Sequence, residues 1–504
     1  MKAHYFSIIL LVVLAVSCKN ENRDGITESE NLEFNEDHRL QYHFSPPEKW
    51  MNDPNGMVFY EGEYHLFYQH YPDSTVWGPM HWGHAISSDL IHWENRPVAL
   101  FPDSLGYIFS GSAVIDKKNT TGFGTANNPP MVAIFTYHDP KGAEAGEIDF
   151  QTQGLAYSLD KGRTWTKYSG NPVLNNPGIV DFRDPKVFWS DEFQKWVMIL
   201  AVKDHVSLYS SPNLIDWTFE SDFGSEIGAH GGVWECPDLF ILEDKQSGEE
   251  KWVMLVSINP GGPNGGSATQ YFMGDFDGKK FIPEDTKTRW LDYGTDNYAG
   301  VTWANVPEKD GRRLFIGWMN NWLYANVVPT QTWRGAMTIP RELILEAGKL
   351  KNIPVRELSR LRDGSINIDL DKTEEIAIEK STIELILNSD KGHSDPFDII
   401  FSNDQGEELR IQFRKDSMIV DRSKSGKTHF NEMFSNVHEA PLRELLSEVR
   451  ILLDVASLEV FVNDGTTVMT EVFFPNEPFN KIHFDGNIES LSNIKGYYLK
   501  SIWK

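Results

Sequence analysis

The sequence predicts an all-β protein: a five-bladed β-propeller followed by a C-terminal β-sandwich. Three observations carry that expectation. Five apolar or alternating segments recur at intervals of roughly sixty residues, the signature of a repeat architecture. Each is preceded by a second short strand-like stretch, and the first four are followed by a third, always in that order. After Arg341-Glu342-Leu343 the repeat stops and long alternating strands take over.

The recurring segments are Tyr64–Gln69, Met131–Thr136, Trp196–Ala201, Trp252–Ser257 and Arg313–Trp318. Their β-branched and aromatic content suits a pleated, buried strand. Ahead of them stand Gly56–Tyr60, Gly111–Ile115, Pro185–Trp189, Pro237–Ile241 and Gly300–Trp303. Behind the first four come His84–Asp89, Leu155–Ser158, Leu208–Ser210 and Tyr271–Met273, leading to Trp93, Trp165, Trp217 and Phe281. Units of three or four strands in radial repetition leave only short, protected edges. An irregular sandwich would echo the spacing by chance, but not the strand order as well.

The propeller is expected over residues 39–345, a linker with a short helical piece over 346–368, and the sandwich over 369–504. Glu408–Phe413, Val449–Asp454 and Leu458–Val462 alternate as half-buried strands do, and Asn463-Asp464-Gly465 is a hairpin turn. The sandwich offers no carboxylate constellation, so a stabilising role is expected there ahead of a carbohydrate-binding one.

At the N-terminus, Lys2 precedes an apolar run from Phe6 to Val16 and then Ser17-Cys18. That run is too short for a permanent membrane span and reads as a signal h-region. Cys18 after small residues resembles a bacterial lipoprotein box, with Leu14 one place from the usual Leu position. Residues 1–18 are therefore expected to be a lipoprotein-type signal, Cys18 the lipidation site, and polar 19–38 a flexible tether. Export follows, to the periplasm or the cell surface, with membrane contact only through the lipid. With Cys18 acylated, Cys236 has no intrachain disulfide partner.

Composition excludes some classes. The formal net charge is −26, which repels phosphate backbones and argues against nucleic-acid binding. The 16 tryptophans suit sugar stacking, although core filling explains most of them. His65, His70, His81 and His84 lack zinc-ligand spacing, so no metal is expected.

If the first strand of every blade lines the central channel, the residues just ahead of those strands meet at one mouth. In blades one, three and four these are Asp53, Asp184 and Glu235; blade two offers Ser110 and blade five the stretch Asp292–Tyr298. Asp53 lies in Trp50-Met51-Asn52-Asp53-Pro54-Asn55-Gly56, where Pro54 and Gly56 shape a stiff turn. Cleaving a glycosidic bond needs one acid to protonate the leaving oxygen and one carboxylate across the bond. Asp53, short and rigidly held, suits the nucleophile. A like charge nearby raises the pKa of the more buried member, which then acts as the acid, and Glu235, longer and beside Trp234, suits the acid/base. Asp184 follows Arg183, whose charge favours the ionised form, and an ionised Asp184 could hold ring hydroxyls. Cys236 reads as a packed residue whose thiol pKa rises beside carboxylates.

These residues carry a resemblance. Trp50–Gly56, Phe109–Ala113, Arg183-Asp184-Pro185 and Glu235-Cys236 resemble, in order and spacing, the blocks of glycoside hydrolase family 32, the invertases, inulinases and levanases. The resemblance covers roughly residues 38–345 plus that family's usual C-terminal sandwich. It implies retention through a covalent fructosyl intermediate, with Asp53 as nucleophile, Glu235 as acid/base and Asp184 as transition-state stabiliser. It implies contact with substrate at Trp50, Met51, Asn52, Gln69, Trp77, Phe109, Ser110, Arg183 and Trp333, and no cofactor. Trp77–Ala85, Trp318–Asn326 and Pro329–Arg334 look more like fructan-degrading members, so exo-attack on levan or inulin, with sucrose as well, is the leading expectation. Endo-levanase, sucrose invertase, fructosyltransferase and an inverting glycosidase are alternatives. A non-catalytic sugar-binding propeller is the remote one, because no carboxylate is missing.

Overall fold

The computed structural model describes residues 34–368, 375–488, 491 and 493–503. The expected signal peptide, the Cys18 lipidation site and tether residues 19–33 lie outside them. Five four-stranded antiparallel units succeed one another along the chain. Blade one comprises Lys49–Tyr60, Glu63–Tyr71, His81–Ser87 and Glu94–Leu100, with Trp333–Arg334 added parallel to Lys49-Trp50. Blade two runs Tyr107–Ile115, Met131–His138, Gln151–Ser158 and Thr166–Lys167; blade three runs Phe182–Ser190, Lys195–Val202, His205–Ser211 and Thr218–Phe223. Blade four runs Val233–Glu243, Glu250–Asn259, Ala268–Phe276 and Phe281–Pro283, with Arg289–Trp290 paired to its third strand. Blade five is Tyr298–Thr302, Arg313–Trp318, Arg341–Glu346 and Lys349–Pro354.

The apolar faces of neighbouring blades pack against each other, which is what the Val/Ile/Phe-rich second strands require. Phe67 and Trp82 meet Phe135 and Tyr137; Val132 and Leu155 meet Val187 and Met198. Val197 and Leu208 meet Met254 and Phe272, and Phe240 and Val253 meet Phe315 and Leu343. Leu66 with Leu314 and Ile316, and a parallel bridge from Val58 to Ala304, close the ring between blades one and five. A closed ring leaves no long sheet edge to solvent.

All five inner strands carry a β-bulge at the same level. Register slips between Met51 and Pro54, Ile108 and Gly111, Arg183 and Lys186, Glu235 and Asp238, and Tyr298 and Val301. In each, three steps on the inner strand face two on its neighbour. A bulge bends the strand and redirects a side chain out of the alternation, and such bulges gather beside active sites. Asp53, Ser110, Asp184 and Cys236 fall inside these bulges and Glu235 at the edge of one. The carboxylates thus sit within longer strands, not in loops ahead of them as the sequence reading had it.

The sandwich has two six-stranded sheets. One orders Arg362–Ile366, Asn493–Leu499, Ile383–His393, Leu446–Leu453, Ser457–Val462 and Thr467–Val472. The other orders Glu375–Ala377, Lys481–Gly486, Phe397–Ser402, Glu408–Phe413, Ser417–Lys424 and Val437–Pro441. The expected linker 346–368 is shorter than anticipated. Lys349–Pro354 is the outer strand of blade five, Arg356–Leu361 is a 3-10 turn, and Arg362–Ile366 already belongs to the sandwich. The end of the expected tether is likewise pinned, because Phe34 stacks on Trp503 at 4.1 Å and His38 is buried.

Propeller and sandwich meet through buried charges. Arg341 pairs with Asp292 at 3.0 Å and Glu459 at 2.7 Å; Arg422 pairs with Asp296 at 2.6 Å and Glu471 at 2.9 Å. His43 bridges Asp454 at 2.8 Å and Glu459 at 2.9 Å. Backbone bonds from Tyr293 to Val468 and from Asp296 to Thr470 add a strand-like seam. Asn463, Asp464 and Gly465 all have positive φ, as the hairpin turn requires, and Gly465 backs onto the Asn352 carbonyl, where a Cβ would lie 2.1 Å away. The sandwich therefore grips the Asp292–Asn297 segment that leads into the inner strand of blade five.

Candidate active site

Asp53, Asp184 and Glu235 line one pocket of about 320 Å³ at the bulged end of the inner strands. Asp53 is held from two sides. Ser110 Oγ donates to its Oδ2 at 2.7 Å and Asn52 Nδ2 to its Oδ1 at 3.0 Å. Asn52 is itself fixed, because the Trp50 indole N–H donates to Asn52 Oδ1 at 2.6 Å. Burial, then the neighbouring Glu235 charge, raise the Asp53 pKa; the Ser110 and Asn52 bonds oppose them.

Asp184 sits at the floor, in a left-handed conformation (φ 65°) that its bulge imposes. Its N–H donates to Thr136 Oγ1 at 3.0 Å, and Thr136 donates to Gln153 at 2.7 Å. Its carboxylate accepts the Cys236 N–H at 3.1 Å. Burial pushes its pKa up to about 7; Arg183 opposes this in part, while the Glu235 and Asp53 charges add to the rise. Arg183 favours the ionised form, as expected, but burial outweighs it. The guanidinium Nε stands 4.0 Å from Asp184 and is spent mainly elsewhere.

Arg183 Nη2 and Nε donate to Glu235 Oε1 at 2.9 and 3.2 Å, and Nη1 bonds Asp181. Burial works against the charge of Arg183, but Glu235, Asp184 and Asp181 outweigh it, so its pKa is raised. Tyr298 donates to the other Glu235 oxygen, Oε2. Burial, then the Glu235 charge, lift the phenol well above its ordinary value, so it stays a donor. Glu235 is less buried than Asp184, its side chain 20% exposed against 5%. The sequence reading had put the raised pKa on the acid/base residue. In the structure the value near 7 belongs to Asp184, because burial and not the sum of like charges decides it. The Cys236 thiol lies 3.6 Å from both Asp53 and Asp184, and burial followed by those charges raises its pKa as expected.

Of the other residues singled out from the sequence, Asn52, Gln69, Trp77, Phe109, Ser110 and Arg183 line the pocket. Trp50 and Met51 lie fully buried behind it. Trp50 acts on Asn52 from there, packed near Trp318 and Trp322. Trp333 is not brought to the pocket. It is buried among Leu40, Met319 and Phe474, with the Arg39 guanidinium 4.3 Å over its ring. Residues that the reading missed are Asp181, His138, Phe150, Gln151 and Trp322 on the wall, and Tyr298 on Glu235. His138 stacks on Phe109 at 4.3 Å, and Phe150 meets His138 edge-on. Trp322 and Tyr298 lay inside stretches already quoted, so position was signalled although role was not. His138 and Phe150 flank a loop with a short helix, Pro140–Ala145, outside any repeat.

The arrangement supplies a firmly aimed carboxylate, a second carboxyl group that can exchange protons at the pocket mouth, and a third at the floor. Those are the parts that cleavage at a sugar's anomeric carbon requires.

Comparison with known proteins agrees in outline. The glycosyl hydrolases family 32 N-terminal domain matches residues 43–354 and the family's C-terminal domain residues 357–497. A levanase of Bacillus subtilis (strain 168) is 46% identical over 499 residues, covering 93% of this chain and 72% of that protein. An extracellular exo-inulinase of Aspergillus niger is 38% identical over 508 residues, covering 90% and 92%. The solved β-fructofuranosidase of Schwanniomyces occidentalis, complexed with fructosyl-erythritol, superposes with a TM-score of 0.81 at 32% identity, covering 92% of this chain and 98% of that one.

Proposed function

Since this chain belongs to glycosyl hydrolase family 32 and is a glycosidase acting on fructosides, we propose that it removes fructose from the non-reducing ends of levan- or inulin-type fructans and also cleaves sucrose. The observation that carries the proposal is the meeting of Asp53, Asp184 and Glu235 in one pocket. Its volume of about 320 Å³ is near the small end of the roughly 300–1,000 Å³ typical of ligand pockets, which favours a chain end over the middle of a polymer. Aromatic Trp77, Phe109 and Phe150 give CH faces of the sugar something to pack on.

In this reading Asp53 attacks the anomeric carbon of the terminal fructosyl unit. Glu235 gives its proton to the leaving oxygen, then takes one from the water that releases the fructosyl group. Ser110 and Asn52 keep Asp53 pointed along the line of attack. Asp184 lies where it can accept ring hydroxyls, and those bonds strengthen as positive charge grows on the sugar. Arg183 and Tyr298 fix both oxygens of Glu235 while it exchanges protons.

Chromatography of products from levan, inulin and sucrose over time tests the proposal. Fructose alone from the polymers supports end-wise attack, a ladder of oligomers refutes it, and activity confined to sucrose refutes the fructan part. We also propose export with lipid attachment at Cys18, supported by the apolar Phe6–Val16 run and by an extracellular relative. Metabolic labelling with a palmitate analogue should mark the wild type but not Cys18→Ser.

A further inference from the structure

A second cavity, of about 280 Å³, lies at the opposite end of the propeller channel. The pocket acids stand at the start of their inner strands, whereas this cavity is lined by the far ends: Ile115 of blade two, Phe188 and Trp189 of blade three, and Ala304 just beyond blade five. Trp189 lies five steps along the strand from Asp184, roughly 17 Å at about 3.3 Å per residue.

The walls are apolar and the charges unbalanced. Arg313, mostly buried, faces the cavity from blade five with its guanidinium 4.9 Å over the Phe240 ring. Among the described residues it makes no side-chain hydrogen bond and no ion pair. Close to it, buried Lys186 pairs with buried Asp238 at 3.0 Å and donates to the Thr302 carbonyl. That same Asp238 oxygen also accepts the Thr302 N–H at 2.7 Å and hydroxyl at 2.8 Å. Two cations therefore stand near one carboxylate, whose Oδ2 already takes three partners. The other acids at the cavity are committed too. Asp116 takes four bonds from Thr120 and Thr121, and Asp191 takes the Trp189 indole N–H at 2.9 Å and lies 3.7 Å from Lys118. A mostly buried guanidinium whose nearest carboxylate is paired with another cation is costly, and a ring face offsets only part of that cost.

We propose that this cavity binds a small organic carboxylate with an apolar body, its carboxylate on the Arg313 fork and its body against Ile115 and Phe188. A planar fork matches a carboxylate in two parallel bonds. A sugar fits less well, because the Lys118 ammonium already covers the Trp189 ring at 4.3 Å. Inorganic phosphate would leave the apolar walls unused.

Benzoate is the probe, with benzyl alcohol as its neutral counterpart and inorganic phosphate as the purely ionic one. Calorimetry is run on the full chain with saturating fructose, so that Arg183 in the catalytic pocket is occupied. Saturable benzoate binding at low millimolar concentration, at least tenfold tighter than either control and weakened at least tenfold in Arg313→Gln, supports the site. Benzyl alcohol or phosphate binding as tightly as benzoate overturns it, as does unchanged affinity in Arg313→Gln or no binding at all. The comparison of three probes on wild-type protein stands even if the variant misfolds. Sucrose hydrolysis by a folded Arg313→Gln should stay within twofold of wild type, and a larger loss would count against a site separate from catalysis.

Discussion

The backbone N–H of Cys236 donates to Asp184 Oδ2 at 3.1 Å, and its thiol lies 3.6 Å from that oxygen and 3.6 Å from Asp53 Oδ2. Cys236 follows Glu235 in the chain and occupies the blade-four bulge with φ 44°. One left-handed residue thereby ties the position of Glu235 to the other two acids. For a non-glycine residue such a conformation costs of order 1–3 kcal/mol and persists only where the surroundings enforce it.

The thiol should be inert in the folded enzyme. Burial first, then Asp184 and Asp53, raise its pKa, and only the thiolate reacts. Iodoacetamide at about pH 8 should leave Cys236 unmodified until denaturant is added, as read by peptide mapping. Rapid labelling of native protein would show the sulfur to be more accessible than described.

Asp184 gives a stability prediction with a definite sign. Its folded pKa of about 7 exceeds the ordinary 3.8, so the native state binds the proton more tightly than the unfolded chain does. Its contribution is thus intact below about pH 4 and is lost as pH rises towards about 7. Asp184→Asn, which cannot ionise, should gain in Tm relative to wild type between those limits and hold that gain above them. Its kcat should fall roughly 10²–10³-fold, as when other transition-state hydrogen bonds are removed. A Tm difference flat with pH would refute the raised pKa.

Tyr298→Phe removes the donor on Glu235 Oε2 and leaves the ring in place. Hydrogen bonds to charged groups contribute roughly 1.5–3 kcal/mol, so kcat should drop about ten- to a hundredfold. The loss should be greater on sucrose than on an aryl fructoside with an activated leaving group, because the latter needs less protonation. Equal losses would argue that Tyr298 does not act through Glu235.

Arg341 holds blade five to the sandwich through Asp292 and Glu459, all three buried. Arg341→Ala should cost about 3–5 kcal/mol in urea unfolding, because two carboxylates lose their partner. Arg341→Ala together with Asp292→Asn and Glu459→Gln should be less destabilised than the single variant. If the single variant is as stable as wild type, the seam does not matter to the fold.

The repeat made the propeller legible, because each blade must bury the same kind of strand. It placed Asp53, Asp184 and Glu235 at matching positions without side-chain geometry. The bulges were not legible. A bulge is a pairing between strands, and a sequence shows only one strand at a time. Electrostatics was legible only in part, for the same reason. Arg183 is next to Asp184 in sequence, yet its guanidinium reaches across to Glu235, which belongs to blade four. Trp333 lay in the Pro329–Arg334 stretch that resembled a family block, but it packs under Arg39 and away from the pocket. The sandwich contacts that grip Asp292–Asn297 come from residues more than a hundred positions later, beyond the reach of any local pattern.

The covalent role of Asp53 is open to one direct measurement. Glu235→Gln enzyme is mixed with an aryl fructoside whose leaving group needs no protonation, quenched in acid, and digested for mass spectrometry. Attack should proceed and release should stall, so the peptide containing Asp53 is expected to be heavier by one fructosyl unit, with fragment ions placing it on Asp53. Turnover of that fructoside with no adduct, or an adduct on Asp184, would contradict the assignment.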